Sequence, residues 1–122
     1  HAGELGRLLG IGSKDVEARR LEHARAAARK ARAIVVLKGD DTLIASPDGR
    51  VGISPGGAPA LATAGTGDVL SGVVAAMLSK GLDPFLAACA AVRLHLDAGR
   101  TAARDRRADS VIASDVIDAL GR

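Results

Sequence analysis

The feature that most constrains the fold is an unbroken apolar run over residues 33–37, followed directly by Lys38 and Gly39. Such a run, rich in β-branched residues and closed by a glycine, is typical of a strand covered on both faces in a parallel sheet. It therefore predicts a central strand of an α/β protein. The loop after such a strand is also where α/β proteins bind their ligands.

Residues 42–46 and 51–53 predict a β-hairpin, because Pro47, Asp48 and Gly49 between them favour a tight turn. We expect this hairpin at the edge of the sheet. Only three strand candidates appear in the sequence, whereas a sheet usually has about five or six strands. We therefore expect the C-terminal portion of one larger domain, whose other strands are missing or come from another chain.

Helical periodicity and helix-capping residues predict five helices, over residues 4–9, 13–32, 68–79, 84–99 and 115–120. Ser13, Asp83 and Ser114 are the N-cap candidates. Residues 68–79 are apolar nearly all round, so we expect this helix to be deeply buried. Residues 54–64, which precede it, contain prolines and glycines and predict an irregular loop of a length that usually carries function.

The net charge of +3 and the isoelectric point near 9.6 raise the question of nucleic-acid binding. The charge pattern argues against it, because basic residues such as Arg20 alternate with Glu17 and Glu22, as on a solvated helix face. Phe85 is the single aromatic residue, so the chain has no base-stacking platform. A composition of 48% hydrophobic and 25% charged residues is that of a folded globular domain.

Cys89 is the single cysteine, so the chain cannot form an internal disulfide, and its apolar surroundings favour a small buried side chain. No charged and then apolar leader is visible, and no apolar run approaches the roughly 18 residues of a membrane span. We therefore expect a reducing, cytoplasmic setting and no membrane partner.

Gly65, Thr66, Gly67 and Asp68 directly precede the most apolar of the predicted helices. The first N–H groups of a helix are unpaired and its N-terminus is positive, so this turn can hold an anion without a lysine. A carboxylate beside that anion is placed to accept a proton from a hydroxyl that attacks phosphorus. Asp68 is thus either a general base at a phosphoryl-binding site or a simple helix cap, and the motif alone does not decide between these roles.

The segment Gly65-Thr66-Gly67-Asp68-Val69-Leu70-Ser71-Gly72 resembles the anion-hole signature of the ribokinase-like superfamily. The order of short motifs along residues 1–122 is similar to that of the NAD(P)H-hydrate dehydratases. Besides that segment, these motifs are His1-Ala2-Gly3-Glu4, Val36-Leu37-Lys38-Gly39-Asp40-Asp41-Thr42, Gly81-Leu82-Asp83-Pro84-Phe85, His95 and Ser114-Asp115. Several motifs in one order are more specific than any one of them.

The resemblance implies a ribokinase-like α/β/α sandwich and an enzyme that repairs NADH or NADPH whose nicotinamide ring has been hydrated. The implied reaction is the ADP-dependent dehydration of the S-epimer, with AMP and phosphate as products. Phosphorylation of the hydroxyl comes first, because phosphate is a much better leaving group than hydroxide. The implied partners are ADP or ATP with Mg²⁺, an NAD(P)H-hydrate epimerase domain or protein, and further copies of the chain in a homo-oligomer.

The resemblance also implies roles for residues of this sequence. It places the nucleotide against Lys38, Gly39, Asp40, Asp41, Thr42 and Gly67, and the transferring group in an anion hole of Gly65, Thr66 and Gly67. Asp68 is the implied catalytic base and faces the hydrate, which His1 helps to hold. Read without the resemblance, Lys38 is the solvated end of a strand and His95 a satisfied packing histidine.

No residues have the Cys or His spacing of a zinc site, and we expect Asp40 and Asp41 to orient their loop rather than to chelate a metal. Any metal is then magnesium carried by the nucleotide. Two other functional classes stay open. A ribokinase-like kinase of a sugar or hydroxymethylpyrimidine uses the same anion hole but leaves the phosphate on its product. A nucleotide-binding or nucleic-acid-binding module has no catalysis at all.

Overall fold

The computed structural model describes all residues, 1–122. The chain divides into two compact units, His1–Pro55 and Gly56–Arg122. The first unit contains three helices and all three strands, and the second contains three helices and two short 3₁₀ turns. Each unit has a buried apolar cluster of its own, so each is described by itself.

The helices of the first unit are α1 (Ala2–Leu9), α2 (Ser13–Ala18) and α3 (Arg20–Ala31). The start of α1 lies at Ala2 rather than at the predicted Glu4, because Nδ1 of His1 accepts the N–H of Gly3 at 3.1 Å and caps the helix. At its other end, Gly10 adopts the left-handed conformation, with a φ of 75°, that ends many helices.

The prediction of one helix over residues 13–32 is wrong. Arg19, with φ −144° and ψ 61°, separates α2 from α3. Ser13 is the first residue of α2, and Gly12 is its N-cap. The two helices have different neighbours, since α2 packs mainly on α1 whereas α3 also covers the sheet. No glycine or proline marks the break, so tertiary packing interrupts a pattern that the sequence alone would continue.

Three strands, β1 (Val35–Leu37), β2 (Thr42–Ala45) and β3 (Val51–Ser54), form an antiparallel sheet in that order. Val36 lies opposite Ile44, and Ile44 lies opposite Gly52. The predicted hairpin of β2 and β3 is confirmed. The prediction that β1 is a central, parallel strand is wrong for the strands of this chain, where β1 lies at one edge. Only residues 38–41 join β1 to β2, and so short a connection can join only antiparallel strands.

The core of the first unit lies between its helices and the sheet. It consists of Ala2, Leu5, Val16, Ala24, Ala27, Ala28, Leu37, Leu43 and Ala45. At the rim of this core, Nζ of Lys30 donates a hydrogen bond to the carbonyl oxygen of Leu8 at 2.8 Å. The hydrogen bond links the end of α3 to the end of α1, so Lys30 is not merely a solvent-exposed charge.

The helices of the second unit are α4 (Thr66–Ser79), α5 (Pro84–Asp105) and α6 (Ala113–Ala119). The stretch predicted to be irregular contains a 3₁₀ turn, Pro59–Ala62, and a second such turn, Ala108–Ser110, precedes α6. The predicted start of α5 is confirmed, since the Asp83 carboxylate accepts the N–H of Leu86 at 3.1 Å. Cys89 lies on α5 and is half-buried.

The start predicted for the last helix is wrong, because α6 begins at Ala113 and Ser114 lies inside it. Its N-cap residue is Ile112, whose side chain has no oxygen to accept a hydrogen bond. The Asp115 carboxylate reaches back instead and accepts the N–H of Ile112 at 3.0 Å. The same carboxylate lies 3.0 Å from Nε of Arg106, which fixes its orientation.

Helix α4 is less buried than its composition predicts. Only Thr66, Leu70 and Val73 are buried on it, and Leu78 is 44% exposed. Val69, Val74 and Met77, which belong to the same apolar pattern, are only half-buried in this chain. In this chain α4 therefore presents one face to the core and one to solvent.

The core of the second unit is made of small residues, which let its elements approach closely. Its buried members are Ala60, Ala98, Ala102, Val111, Val116 and Ala119. A Cβ atom on Gly99 of α5 would lie 2.6 Å from the side chain of Leu61, so this approach requires glycine. None of the helices combines the length and the apolar character that a membrane span needs.

Candidate active site

Five of the six residues predicted to contact a nucleotide form a short loop in the first unit. This 38–42 loop leaves the buried end of β1 at Leu37 and enters β2 at Thr42. Lys38, Gly39, Asp40 and Asp41 are exposed, and Thr42 is half-buried. Oγ1 of Thr42 donates a hydrogen bond to the carbonyl oxygen of Gly39 at 3.4 Å, so the end of the loop contacts its second residue. The loop thus presents an ammonium group and backbone N–H groups to solvent.

Arg20, at the start of α3, donates hydrogen bonds to the backbone of this loop and of the residue before it. Its Nη2 donates to the carbonyl oxygen of Asp41 at 2.9 Å and to that of Leu37 at 3.3 Å, while Nη1 lies 3.3 Å from Oε1 of Glu17. Its side chain is only 21% exposed. The sequence placed Arg20 on a solvated helix face, which is wrong, and no pattern in the sequence marks it as a partner of the loop.

His1, predicted to hold the substrate, is occupied with its own helix. Its ring caps α1, and its amino group donates to Oε2 of Glu4 at 2.9 Å. That hydrogen bond holds the pKa of Glu4 below its ordinary value, and the positive charges of Lys38 and Arg7 act more weakly in the same direction. Only Nε2 of the His1 ring is left to contact a ligand.

The predicted anion hole lies in the second unit, at the start of α4. Gly65 is the N-cap of the helix, with a φ of 87°, and no side chain caps it. A Cβ atom on Gly65 would lie 3.2 Å from Cβ of Ala113, so both conformation and space favour glycine. Asp68 is the third residue of α4 and is exposed, so it is not the N-cap. The 65–68 turn therefore has the uncapped helix terminus that anions bind.

A buried hydrogen-bond network fixes this turn to the core. Oγ1 of Thr66 donates to the carbonyl oxygens of Leu61 at 2.7 Å and Thr63 at 2.8 Å. Nε2 of His95 lies 2.9 Å from the carbonyl oxygen of Thr66, and since that oxygen can only accept, Nε2 carries the proton. Thr66 is 4% exposed and His95 6%. The Thr66 side chain thus faces inward, and the Thr66 N–H also donates to the carbonyl oxygen of Thr63, at 3.4 Å.

The profile of the NAD(P)H-hydrate dehydratase family matches residues 1–122. The chain belongs to this family. It is 46% identical over 120 residues to the bifunctional NAD(P)H-hydrate repair enzyme Nnr of Moorella thermoacetica, covering 98% of this chain and 23% of that protein. It is 40% identical over 104 residues to the ADP-dependent (S)-NAD(P)H-hydrate dehydratase of Xanthomonas campestris, covering 85% of this chain and 36% of that protein.

A solved structure gives the same result for the fold. The ADP/ATP-dependent NAD(P)H-hydrate dehydratase of Bacillus subtilis, co-crystallised with ATP and Mg²⁺ and soaked with CoA, matches with a TM-score of 0.92 and 36% identity. The match covers 98% of this chain and 44% of that one. It confirms the predicted α/β fold class, and the family confirms the resemblance found in the motifs. The chain spans less than half the length of these dehydratase-family relatives.

Within this dehydratase-family chain, the predicted site residues fall into two groups. The 38–42 loop and His1 belong to the first unit, and the 65–68 turn belongs to the second. No group of three or more His, Cys, Asp or Glu side chains is placed to hold a metal ion.

Proposed function

We propose that this chain provides the phosphoryl-transfer machinery of an ADP-dependent (S)-NAD(P)H-hydrate dehydratase, which returns hydrated NADH or NADPH to NADH or NADPH and releases AMP and phosphate. The observation that carries the proposal is the uncapped N-terminus of α4, where Gly65 adopts a left-handed conformation and an exposed Asp68 follows within the first turn. The names of the dehydratase relatives support the choice of substrate.

In this proposal the 65–68 turn binds the transferring phosphoryl group. The N–H groups of the turn and the positive end of the α4 dipole stabilise the negative charge that develops on the phosphoryl oxygens. Since the buried network of Thr66 and His95 already holds the turn, little reorganisation is needed at the moment of transfer. Gly67 approaches the ligand with its backbone alone.

Asp68 acts as the general base. Its carboxylate takes the proton from the ring hydroxyl as the hydroxyl oxygen bonds to the terminal phosphorus of ADP, and the bond from that phosphorus to AMP breaks. The lone pair of the ring nitrogen then expels the phosphate, and a proton leaves the neighbouring carbon. The ring recovers its double bond, so atoms and charges balance.

The 38–42 loop contacts the nucleotide in this proposal. Lys38 supplies a positive charge, and the exposed N–H groups of the loop supply donors for phosphate or ribose oxygens. Magnesium bound with the nucleotide would neutralise phosphate charge. Asp40 and Asp41 orient the loop, and His1 contacts the hydrate through Nε2.

Residues 1–122 belong, in the same proposal, to one carbohydrate-kinase-like domain, which the match of the family profile across both compact units supports. An NAD(P)H-hydrate epimerase is the proposed partner, since several relatives are named bifunctional repair enzymes. A homo-oligomer in a reducing compartment completes the proposal.

The decisive test replaces Asp68 with asparagine in the purified protein supplied with NADH hydrate, ADP and Mg²⁺. We expect kcat to fall roughly 10²- to 10⁴-fold, as for loss of a general base, while ADP binding measured by calorimetry is retained. Asp118→Asn, at an exposed position on α6, is the matched control and should keep full activity. Unchanged turnover in Asp68→Asn would remove Asp68 from the chemistry.

Product analysis separates this function from the kinase alternative. A dehydratase forms NADH and free phosphate, which absorbance and a phosphate assay detect. A small-molecule kinase would instead leave a stable phosphorylated product. Binding to DNA that weakens steeply with salt would point to a nucleic-acid module instead.

A further inference from the structure

The two hydrogen bonds from Nη2 of Arg20 bracket the 38–42 loop. One acceptor is the carbonyl oxygen of Leu37, just before the loop, and the other is that of Asp41, near its end. A single guanidinium therefore links the residue before the loop to a residue near its end. We propose that Arg20 is a positioning residue for nucleotide binding, acting through the loop and not by touching the nucleotide. The proposal rests on the proposed function, which assigns the loop to the nucleotide.

Gly39 explains why the guanidinium fits there. A Cβ atom on Gly39 would lie 2.6 Å from Nη2 of Arg20 and 3.0 Å from Cζ. Gly39 is not among the glycines with positive φ, so its backbone conformation does not itself require glycine. The requirement comes from Arg20, whose guanidinium lies against the loop in the space that a side chain at position 39 would fill.

Glu17 completes the arrangement on the other side of the guanidinium. Its carboxylate oxygens lie 3.3 Å from Nη1 of Arg20. Arg20 thus makes directed hydrogen bonds on two sides, which a planar fork can do and a lysine ammonium cannot reproduce. The arrangement fixes the loop without using up the ammonium of Lys38, which stays exposed for the ligand.

A double-mutant cycle tests the pair. In Arg20→Met the hydrogen bonds to the loop are lost, and in Gly39→Ala the new methyl group displaces the guanidinium. We expect each change to raise the Kd and KM for ADP about tenfold, the usual effect of losing a charge-assisted hydrogen bond, with kcat changed less than about threefold. The double variant should bind ADP no more weakly than Arg20→Met alone, because the added methyl group then has room beside the loop.

Two further variants keep the cycle interpretable. Arg19→Met removes a neighbouring exposed arginine, which pairs with Glu22 at 3.6 Å, and should leave ADP affinity unchanged. Arg20→Lys keeps the charge and the stem, so it serves if the methionine variant does not fold, and its affinity should lie between those of wild type and Arg20→Met. Wild-type affinity in Arg20→Lys, or additive effects of the two substitutions in the cycle, would overturn the proposal.

A measurement without nucleotide separates this proposal from the proposed function. ¹⁵N relaxation of the amides of residues 38–41 should give order parameters of about 0.85 in the wild type and below about 0.6 in Arg20→Met and Gly39→Ala. If the order parameters change in this way but the wild type does not bind ADP, the proposed function is wrong and the positioning role of Arg20 stands. Unchanged order parameters in both variants would overturn the positioning role, even in a protein that binds ADP and converts the hydrate.

Discussion

The 38–42 loop and the 65–68 turn are both held by hydrogen bonds from helix side chains, yet the two supports differ in kind. Arg20 supports the loop through its partly exposed guanidinium, which also pairs with the Glu17 carboxylate. His95 and the Thr66 hydroxyl support the turn with buried, directed hydrogen bonds. Exposed charged contacts weaken with salt and permit local opening, whereas buried ones do neither. The difference indicates that the support of the 38–42 loop is more sensitive to salt and to charge substitution than the buried support of the 65–68 turn.

The strongest test of the 65–68 turn is Gly65→Ala. A non-glycine residue at a φ of 87° costs about 1–2 kcal/mol, and the methyl group would also press on Ala113. We expect a lower melting temperature and a fall in kcat of about 100-fold as the donors of the turn shift.

Gly72→Ala in the same helix is the matched control, because nothing lies within 4 Å of the added methyl group. It should raise stability by roughly 0.5–1 kcal/mol through helix propensity and leave kcat alone. Full activity in Gly65→Ala would show that the turn tolerates movement and would break the contrast between the two supports.

Replacement of His95 distinguishes the two supports by kinetics. His95→Leu should lower stability by about 1 kcal/mol or more through loss of a buried hydrogen bond, and it should lower kcat more than it raises the KM for ADP. The opposite pattern is expected for Arg20→Met.

His95→Gln should restore much of the kcat, because the glutamine amide can donate from nearly the position of Nε2. Val92→Ala, one turn earlier on α5 at a buried position, controls for lost packing without a lost donor. If Val92→Ala reproduces the kinetics of His95→Leu at equal stability, the hydrogen bond to Thr66 has no special role.

The smallest effect concerns another exposed charge pair of the first unit. The side-chain hydrogen bond from Arg50, followed by the Arg50 backbone N–H and the Ser46 side chain, lowers the pKa of Asp48 from its ordinary 3.8. Because the folded pKa is depressed, the stabilisation is present above about pH 4 and is lost as the pH falls further. Asp48→Asn should therefore slightly lower the melting temperature at pH 7, and the difference from wild type should shrink on acidification. A difference that persists unchanged at low pH would exclude the ionised pair as its cause.

Much of this arrangement was predictable from the sequence, because the signals are local. The hairpin of β2 and β3 follows from its turn residues, the start of α5 from Asp83 and Pro84, and the 65–68 turn from glycines before a helix. The packing role weighed for His95 also agrees with its burial and its bond to Thr66.

The features that sequence reasoning missed depend on contacts between distant residues. The direction of β1 was misjudged because its apolar run was given more weight than the short 38–41 connection. The break at Arg19 and the hydrogen bonds of Arg20 to residues 17 and 21 positions further along the chain have no periodic signature. The acidic neighbours of Arg20 in the sequence predict a solvated side chain. Only the fold shows that the carbonyl oxygens of Leu37 and Asp41 lie within hydrogen-bond distance of it.

The space shared by Arg20 and Gly39 has a consequence for how this chain can diverge. The guanidinium occupies the volume that a side chain at position 39 would need, so we expect the two positions to change together. A lineage that replaces the arginine is released from the glycine, and a lineage that keeps the arginine can enlarge position 39 only by displacing the guanidinium from the loop. Covariation of these two residues, 19 positions apart, would then record a steric constraint.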